Sequence, residues 1–465
     1  MALIVVIAGQ AIATMDGSIL AVAAPSLRAD LHASGAELQL VVAMYTLALS
    51  ALVVTGARLG DIIGLRRAFL YGLAGFTLSS LAGGLAPTPL ALIIARTFQG
   101  AAAALMTPQV LSIIQTNFEG QARARAIGAY SMVLAAGVAV GQILGGILVS
   151  AHLLAAAWRP ALLVNAPLGA VLLASARHAL PPTTPAGRQA LDLRGVGLLT
   201  LTLLALIVPL TLGRGYGWPL WVWPCLGGGA LAGSAFVIVE RRLKARGQYP
   251  LFNLGVLLVP GVAAGVLAVV LIMAGYSGFV LTVTLYLQTA LRFSPLHAGL
   301  IFAIYASGFA IASLTWTKLP NRAHARLPVL GPLLMATALL ATGVLTSQGA
   351  WPLEIAGPLL LAAGVGHAIG FSPVAHRLTT LVQPAQATDL SGLILTADWI
   401  GTVLGAASFV GLYFTAARHG AGHAFAITTD AIAATIFAST ATAAIAMSKP
   451  APRRRRTAPQ CRASP

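Results

Sequence analysis

A chain of 465 residues that is 58% hydrophobic and 8% charged lacks the roughly one-quarter of charged residues with which a soluble domain covers its surface, and its mean hydropathy of +0.87 makes lipid the main solvent. The net charge of +17 suggests nucleic acid in a soluble protein, but a membrane protein places Lys and Arg in its cytoplasmic loops, and the basic residues below follow that rule. Cys225 and Cys461 form no metal or disulfide pattern, and the GxxxxGK[ST], GxSxG and HExxH motifs are absent, which argues against an ATPase or a hydrolase.

Apolar runs separated by charge or by Pro and Gly clusters predict about fourteen spanning helices of about 20 residues each. The first run, 3–26, is long enough to span and carries a carboxylate, so it reads as a helix and not as a cleavable signal. It contains Met15-Asp16-Gly17-Ser18-Ile19-Leu20-Ala21-Val22-Ala23-Ala24-Pro25. The second, 37–57, leads into Gly56-Ala57-Arg58-Leu59-Gly60-Asp61-Ile62-Ile63-Gly64-Leu65-Arg66-Arg67. Its glycines permit a tight turn and close helix approach, and Asp61 can pair with a cation or cap a helix end. After the run 68–87 comes 89–113, with Arg96-Thr97-Phe98-Gln99-Gly100 inside it. An arginine within a span costs about 2.5–3.5 kcal/mol on insertion scales, so Arg96 is expected to face a polar cavity or a partner. The run 126–149 carries Gly137, Gly141, Gly145 and Gly146, a spacing that makes a smooth face for a neighbouring helix, expected where two halves of the molecule meet. Next is 160–177, entered through Trp158-Arg159 and Asn165-Ala166-Pro167.

A polar linker from His178 to Leu193 precedes the runs 195–213 and 218–239, followed by 261–287, 297–316, 327–346, 351–373, 388–412 and 424–447. Gly401-x-x-x-Gly405 repeats the small-residue spacing of 126–149. Basic residues crowd alternate connections: Arg58, Arg66 and Arg67, then Arg123 and Arg125, then Arg177, Arg188 and Arg194. The same holds for Arg241 to Arg246, Lys318 to Arg326, Arg377, and Lys449 with Arg453 to Arg456. The positive-inside rule therefore places both termini in the cytoplasm and makes the span count even. The tail with its four consecutive arginines reads as an anchor to anionic head groups.

Four of these stretches carry a family resemblance. Residues 56–67 resemble the cytoplasmic loop signature of the major facilitator superfamily, G-x-L-x-D-R-x-G-R-[RK], with Ile62 where a basic residue is usual. Arg96-x-x-Gln99-Gly100 resembles that family's R-x-x-Q-G motif, whose arginine is associated with proton transfer. Residues 137–146 resemble the exporter-associated G-x-x-x-G-P-x-x-G-G, with Gln142 in place of proline. Residues 15–25 are similar to the L-D-x-T-I-V-N-V-A-L-P motif of fourteen-helix drug/proton antiporters, with Ala21 where Asn is usual. The resemblance implies an all-α membrane protein of the major facilitator fold. Two six-helix bundles are expected at 1–177 and 254–448, a linker and two extra spanning helices at 178–253, and a basic cytoplasmic tail at 449–465. It implies a cell-membrane protein, of the bacterial inner membrane, that is not an enzyme but a proton-coupled transporter exporting small organic molecules, such as drugs, antibiotics or related natural products, by alternating access. The latch loop would be formed by Gly56, Gly60, Asp61, Gly64, Arg66 and Arg67.

Of eleven acidic residues, Asp16 and Asp398 alone lie well inside predicted spans. A carboxylate in low dielectric can hold a proton near neutral pH and release it when water or a cation arrives. Asp16, Arg96 and Asp398 are thus the expected proton-coupling residues. Asp16 is expected to take a proton from outside and to lose it to the cytoplasm as substrate is captured. Asp398 reads equally as a second proton site, a cation-selectivity charge, or a carboxylate paired with His367. Tyr45, Gln99, Tyr286 and His367 are candidates for an apolar substrate cavity. The expected partners are a small organic molecule, protons and the bilayer, with no nucleic acid, cofactor or metal, and the chain is expected to act as a monomer. Import or export of a specific metabolite is the rival reading.

Overall fold

Inside a bilayer a backbone N–H or C=O finds no water, so each apolar run must satisfy its own hydrogen bonds as a helix. The computed structural model describes residues 1–118, 120–151, 153, 156–182, 192–213, 217–247, 251, 254–347, 350–382 and 386–448. The expected basic tail, 449–465, lies outside the described residues, as does the stretch 183–191 of the linker.

Sixteen α-helices occur among the described residues. They are α1 (Ala2–Asp30), α2 (Gly35–Ile63), α3 (Leu65–Gly84), α4 (Pro89–Asn117), α5 (Gly120–Ser150), α6 (Arg159–Leu163), α7 (Asn165–Ala179) and α8 (Leu193–Leu212). There follow α9 (Val222–Ala245), α10 (Val262–Leu285), α11 (Pro295–Thr315), α12 (Asn321–His324), α13 (Leu327–Thr346), α14 (Leu353–Leu381), α15 (Ala387–Ala416) and α16 (Ala421–Ser448). Among the described residues eleven segments are long and apolar enough to cross a membrane, with Arg159–Ala179 counted as one of them; the apolar parts of α5 and α8 are shorter. The sequence predicts about fourteen spans, and the two extra helices have local causes. Pro167 has no N–H to give to the Leu163 carbonyl four residues back, and the run 160–177 accordingly breaks between α6 and α7 at Val164. The four-residue α12 stands in the basic connection between α11 and α13. Several helices also outrun their apolar segments: α14 continues to Leu381 where the apolar run ends near 373.

Helix starts follow capping chemistry. Ser34 opens α2 with a capping box: its hydroxyl accepts from the Glu37 N–H at 3.2 Å, while its own N–H and hydroxyl donate to Glu37 Oε2 at 2.9 and 2.7 Å. Those bonds, the hydroxyl's first, hold the Glu37 carboxyl below its ordinary range. This cap is therefore present at neutral pH and is lost as pH falls through that lowered range. Thr88 and Ser294 cap α4 and α11 with a single bond, their hydroxyls accepting from the N–H groups of Ala91 and His297 at 3.2 Å each.

Between α2 and α3 the chain turns on a single residue, Gly64, at φ 92° and ψ 140°. That region is costly for any residue with a Cβ, so Gly64→Ala is expected to destabilise the protein by about 1–3 kcal/mol, read as a lowered melting temperature of the detergent-purified protein.

Packing sorts the long helices into two groups. In the first, α4 lies against α2 and α3, and α1 against α5; in the second, α10 lies against α15 and α16, α13 against α14 and α16, and α11 against α14. The groups meet along α5 with α11 and α2 with α15. Helix α8 packs on α2 and α15 beside that seam, and α9 packs on α8 with only 22% of its apolar window buried. Large apolar side chains such as Leu78, Phe98, Leu220 and Leu231 point outward, as expected where the surrounding solvent is hydrocarbon.

Candidate functional site

The polar centre of the first group is built around Asp16, near the middle of α1, and the side chain is fully buried. Arg96 reaches it from α4; its Nη1 donates to Asp16 Oδ2 and, at 2.8 Å, to Gln99 Oε1. The i, i+3 spacing of Arg96 and Gln99 sets both on one face of α4, and Gln99 Nε2 donates to Asp16 Oδ1 at 3.0 Å. A third donor comes from the first turn of α7, where Asn165 Nδ2 reaches the same Oδ1 at 2.6 Å and Ser80 Oγ of α3 at 3.0 Å. Ser80 Oγ in turn donates to the Leu162 carbonyl at 2.9 Å, just before the α6–α7 break. Below the pair, the Arg96 guanidinium lies over the Tyr45 ring at 4.4 Å, and the Tyr45 hydroxyl donates to the Ala13 carbonyl at 2.9 Å.

This arrangement follows from elementary electrostatics. Two opposite charges out of water persist only if they meet each other and their remaining valences are bonded. Here the carboxylate receives three side-chain donors, two from α4 and one from α7, and the arginine has a ring beneath it. Chemically, one proton added to Asp16 turns a neutral pair into a lone buried guanidinium, so protonation changes the charge at the junction of α1, α4 and α7. Arg96 Nε and Asn165 Oδ1 are buried without a hydrogen-bond partner.

The glycine face of α5 packs on α1 beside Asp16 and not on the other half. A Cβ at Gly141 would overlap the Met15 carbonyl and Ser18 Oγ, one at Gly137 would stand 3.0 Å from Thr14 Cβ, and one at Gly145 2.9 Å from Ile19 Cγ1. Gly146 is also buried. The spacing announces a smooth face without saying which neighbour uses it. The contact between halves is made by another side of α5, where the Gln142 backbone meets Gly299 of α11. The same device recurs on α15, whose Gly401 and Gly405 lie on the backbone of α10 at Val270 and Ala274.

The predicted latch loop ties α2 and α3 to α4 and α7. Gly56 lies against the Ala104 carbonyl of α4, Gly60 against the Gln109 side chain, and Gln109 Nε2 donates to the Gly56 carbonyl at 2.8 Å. Arg66 donates to the Arg177 carbonyl near the end of α7, Asp61 is half-buried and Arg67 is exposed.

The remaining candidates lie in the second group. His367 of α14 is 4% exposed and shares a hydrogen bond with the Tyr305 hydroxyl at 3.0 Å, so its Nδ1 partner is a phenol and not Asp398. Asp398 is half-buried on α15. Tyr286 is taken up in packing: its hydroxyl donates to the Thr346 carbonyl at 3.0 Å and its ring stacks on Phe425 at 4.5 Å. The structure thus gathers Asp16, Arg96, Gln99 and Tyr45 at one place, keeps the latch residues and the α5 glycines as separate contacts, and sets Tyr286 apart. Sequence reasoning assigned no role to Asn165 or Ser80; the Asn-Ala-Pro stretch was visible, but a neutral amide in a span carries no charge penalty to call attention to it.

The sequence profile of the Major Facilitator Superfamily matches residues 6–406. The chain belongs to that superfamily. A cephamycin export protein of Amycolatopsis lactamdurans is 39% identical to it over 415 residues, covering 87% of this chain and 83% of the relative. A puromycin resistance protein of Streptomyces alboniger is 36% identical over 411 residues, covering 87% and 80%. Among solved structures, the xylose transporter of E. coli in a partially occluded inward-open conformation superposes with a TM-score of 0.63 over 96% of this chain and 97% of that one. At 14% identity that likeness shows the fold alone. Membership in the Major Facilitator Superfamily makes the protein a multi-pass membrane transporter and not an enzyme.

Proposed function

We propose that this Major Facilitator Superfamily member exports small organic molecules of the antibiotic kind in exchange for protons, by alternating access. The observation that carries the reading is the buried Asp16–Arg96 pair, caged by Gln99 and Asn165 where α1, α4 and α7 converge. The export and resistance roles of the two relatives support the direction and the class of cargo.

In the outward-facing state a proton from outside binds an Asp16 oxygen as substrate leaves. The guanidinium keeps its bond to Gln99 Oε1 and its place over Tyr45, but its attraction to α1 is gone. The protonated transporter turns inward, the proton passes to cytoplasmic water, the pair re-forms and new substrate is captured. One positive charge moves inward for each charge state reset, so the membrane potential helps the proton step. Gly56, Gly60, Gly64 and Asp61 make the α2–α3 turn the latch that one of the two states closes.

This reading takes α6 and α7 as one span and α12 as part of a loop, which makes fourteen spans. Residues 1–177 and 254–448 are then the two bundles, 178–253 holds the two added helices, and both termini are cytoplasmic. The chain works as a monomer.

The test is accumulation of puromycin and of a cephamycin in inverted vesicles from cells expressing the protein, energised by an inward-acid pH gradient. Accumulation that collapses on adding nigericin is expected for at least one of them. Gradient-driven uptake seen only in right-side-out vesicles would overturn export in favour of import.

A further inference from the structure

The seam between the two helix groups shuts over an amide that has nothing to bond. Gln142 of α5 is 1% exposed, and both its Nε2 and its Oε1 are buried without a hydrogen-bond partner. Its helix is clamped on two sides. Gly137, Gly141 and Gly145 hold α5 on α1, and on another side the Gln142 backbone meets α11, where a Cβ at Gly299 would stand 3.2 Å from Gln142 C and Ile143 N. Val138 and Ala139, one turn earlier on α5, join the apolar cluster of Phe279, Ala298 and Phe302 in the second group. The carbonyl one turn back, Val138 O, already accepts from Ser18 Oγ at 3.0 Å.

A buried donor or acceptor left without a bond costs its full desolvation penalty, and a neutral amide has no change of protonation by which to escape it. The penalty belongs to one arrangement only. When α5 and α11 part at this end, water reaches the amide and supplies its bonds, so the amide weakens the closed seam and leaves the open one untouched. A two-state equilibrium shifts by such a difference. A second amide adds to it on the same side. Gln288, in the π turn Tyr286–Ala290 that ends α10, keeps its Nε2 buried without an acceptor, and its neighbours Leu285, Ala290 and Leu291 pack on the cluster that takes in Ala139.

We propose that Gln142 sets the balance between the closed and open states of the α5–α11 seam, and holds the substrate-free transporter toward the open one. An apolar residue at this position would let the two halves lock together; the glutamine keeps that closure reversible. The inference rests on the alternating-access reading, of which it names a residue that sets the resting state. With both termini cytoplasmic, the end at which α5 finishes and α11 begins is the outer one. The state that Gln142 favours is then the one in which Asp16 takes its proton from outside.

The balance is read as a distance distribution between spin labels on Leu153→Cys, beyond the end of α5, and His297→Cys, in the first turn of α11, both exposed positions. The full chain, with Cys225 and Cys461 replaced by serine, is measured by double electron–electron resonance in lipid nanodiscs at one pH, with no gradient or substrate. Gln142→Leu, close in shape and without polar atoms, is expected to raise the ratio of short to long distances by about fivefold or more, with a melting temperature at or above that of the parent. Gln142→Glu is expected to lower the ratio, since a carboxyl is harder still to bury. A ratio that Gln142→Leu leaves unchanged or lowers overturns the proposal, as does a seam that stays wholly closed in Gln142→Glu. An unchanged ratio joined to a raised half-saturation concentration for puromycin would assign the amide to substrate instead. Failure of the export reading would show as absent nigericin-sensitive accumulation with these population shifts intact.

Discussion

Asp16→Asn is expected to abolish proton-driven accumulation and, in the same step, to destabilise the protein by about 3–5 kcal/mol, because it leaves the Arg96 guanidinium buried without a counter-charge. The local geometry adds a second penalty. Arg96 Nη1, Gln99 Nε2 and Asn165 Nδ2 all donate to the carboxylate. An asparagine there offers one oxygen and turns an NH2 group toward at least one of those donors. Arg96→Gln is expected to be as damaging, now with a bare carboxylate. The double variant Asp16→Asn/Arg96→Gln contains no uncompensated charge, so its melting temperature is expected to lie above that of either single variant, while nigericin-sensitive accumulation in inverted vesicles stays absent. Stability and coupling are thereby separated. Full efflux by Asp16→Asn would sink the coupling role, and a double variant as unstable as the sum of the singles would show that the pair is not a charge pair in the membrane. Asn165→Ala removes one donor of three and is expected to cost about 1–3 kcal/mol, enough to shift the pH profile of transport without abolishing it.

How far this site could be read from the sequence follows from the same energetics. A charge inside a span is expensive enough to be rare, so Asp16 and Arg96 announce themselves, and their pairing across 80 positions is the cheapest solution open to both. Asn165 and Ser80 are equally part of the network but cost little to insert, and nothing in their spacing connects α7 and α3 to the middle of α1. Packing partners were harder still. Gly137, Gly141 and Gly145 define a smooth face whichever helix lies on it, and expectation put the second half of the molecule there where the structure has α1. Tyr286 shows the converse limit: an aromatic residue reads alike as cavity lining or as packing until Phe425 and Thr346 are seen against it. Helix existence was legible because hydrocarbon permits nothing else. The break at Val164 was not, since Pro167 begins one helix by ending another.

The glycine face of α5 yields the second large effect, in a graded series. At Gly141 an alanine Cβ overlaps both Ser18 Oγ and the Met15 carbonyl oxygen. The hydroxyl can rotate away, but the carbonyl belongs to the backbone of α1, so α5 itself must retreat. At Gly145 the nearest atoms are the Ile19 side-chain Cγ1 at 2.9 Å and the Ile19 backbone carbonyl oxygen at 3.0 Å, so only one of the two can yield, whereas at Gly137 both are side-chain atoms, Thr14 Cβ at 3.0 Å and Thr14 Cγ2 at 3.1 Å. Overpacking of this kind costs about 1–3 kcal/mol, and the expected order of destabilisation is Gly141→Ala, then Gly145→Ala, then Gly137→Ala. Transport is expected to fall in the same order but more steeply, because Met15 precedes Asp16 and any shift of α1 there moves the carboxylate against donors held at 2.6 and 3.0 Å. Melting temperatures and nigericin-sensitive accumulation measured on the three variants check both orders; an active, fully stable Gly141→Ala protein would remove α5 from the support of the site. Gly405→Ala supplies the control, since its Cβ overlaps the Ala274 carbonyl of α10 in the other half. It is expected to lower the melting temperature about as much as Gly141→Ala while leaving the Asp16 donors in place. A larger loss of transport at Gly141 than at Gly405, for equal loss of stability, would therefore trace the excess to the displaced carboxylate and not to weakened packing.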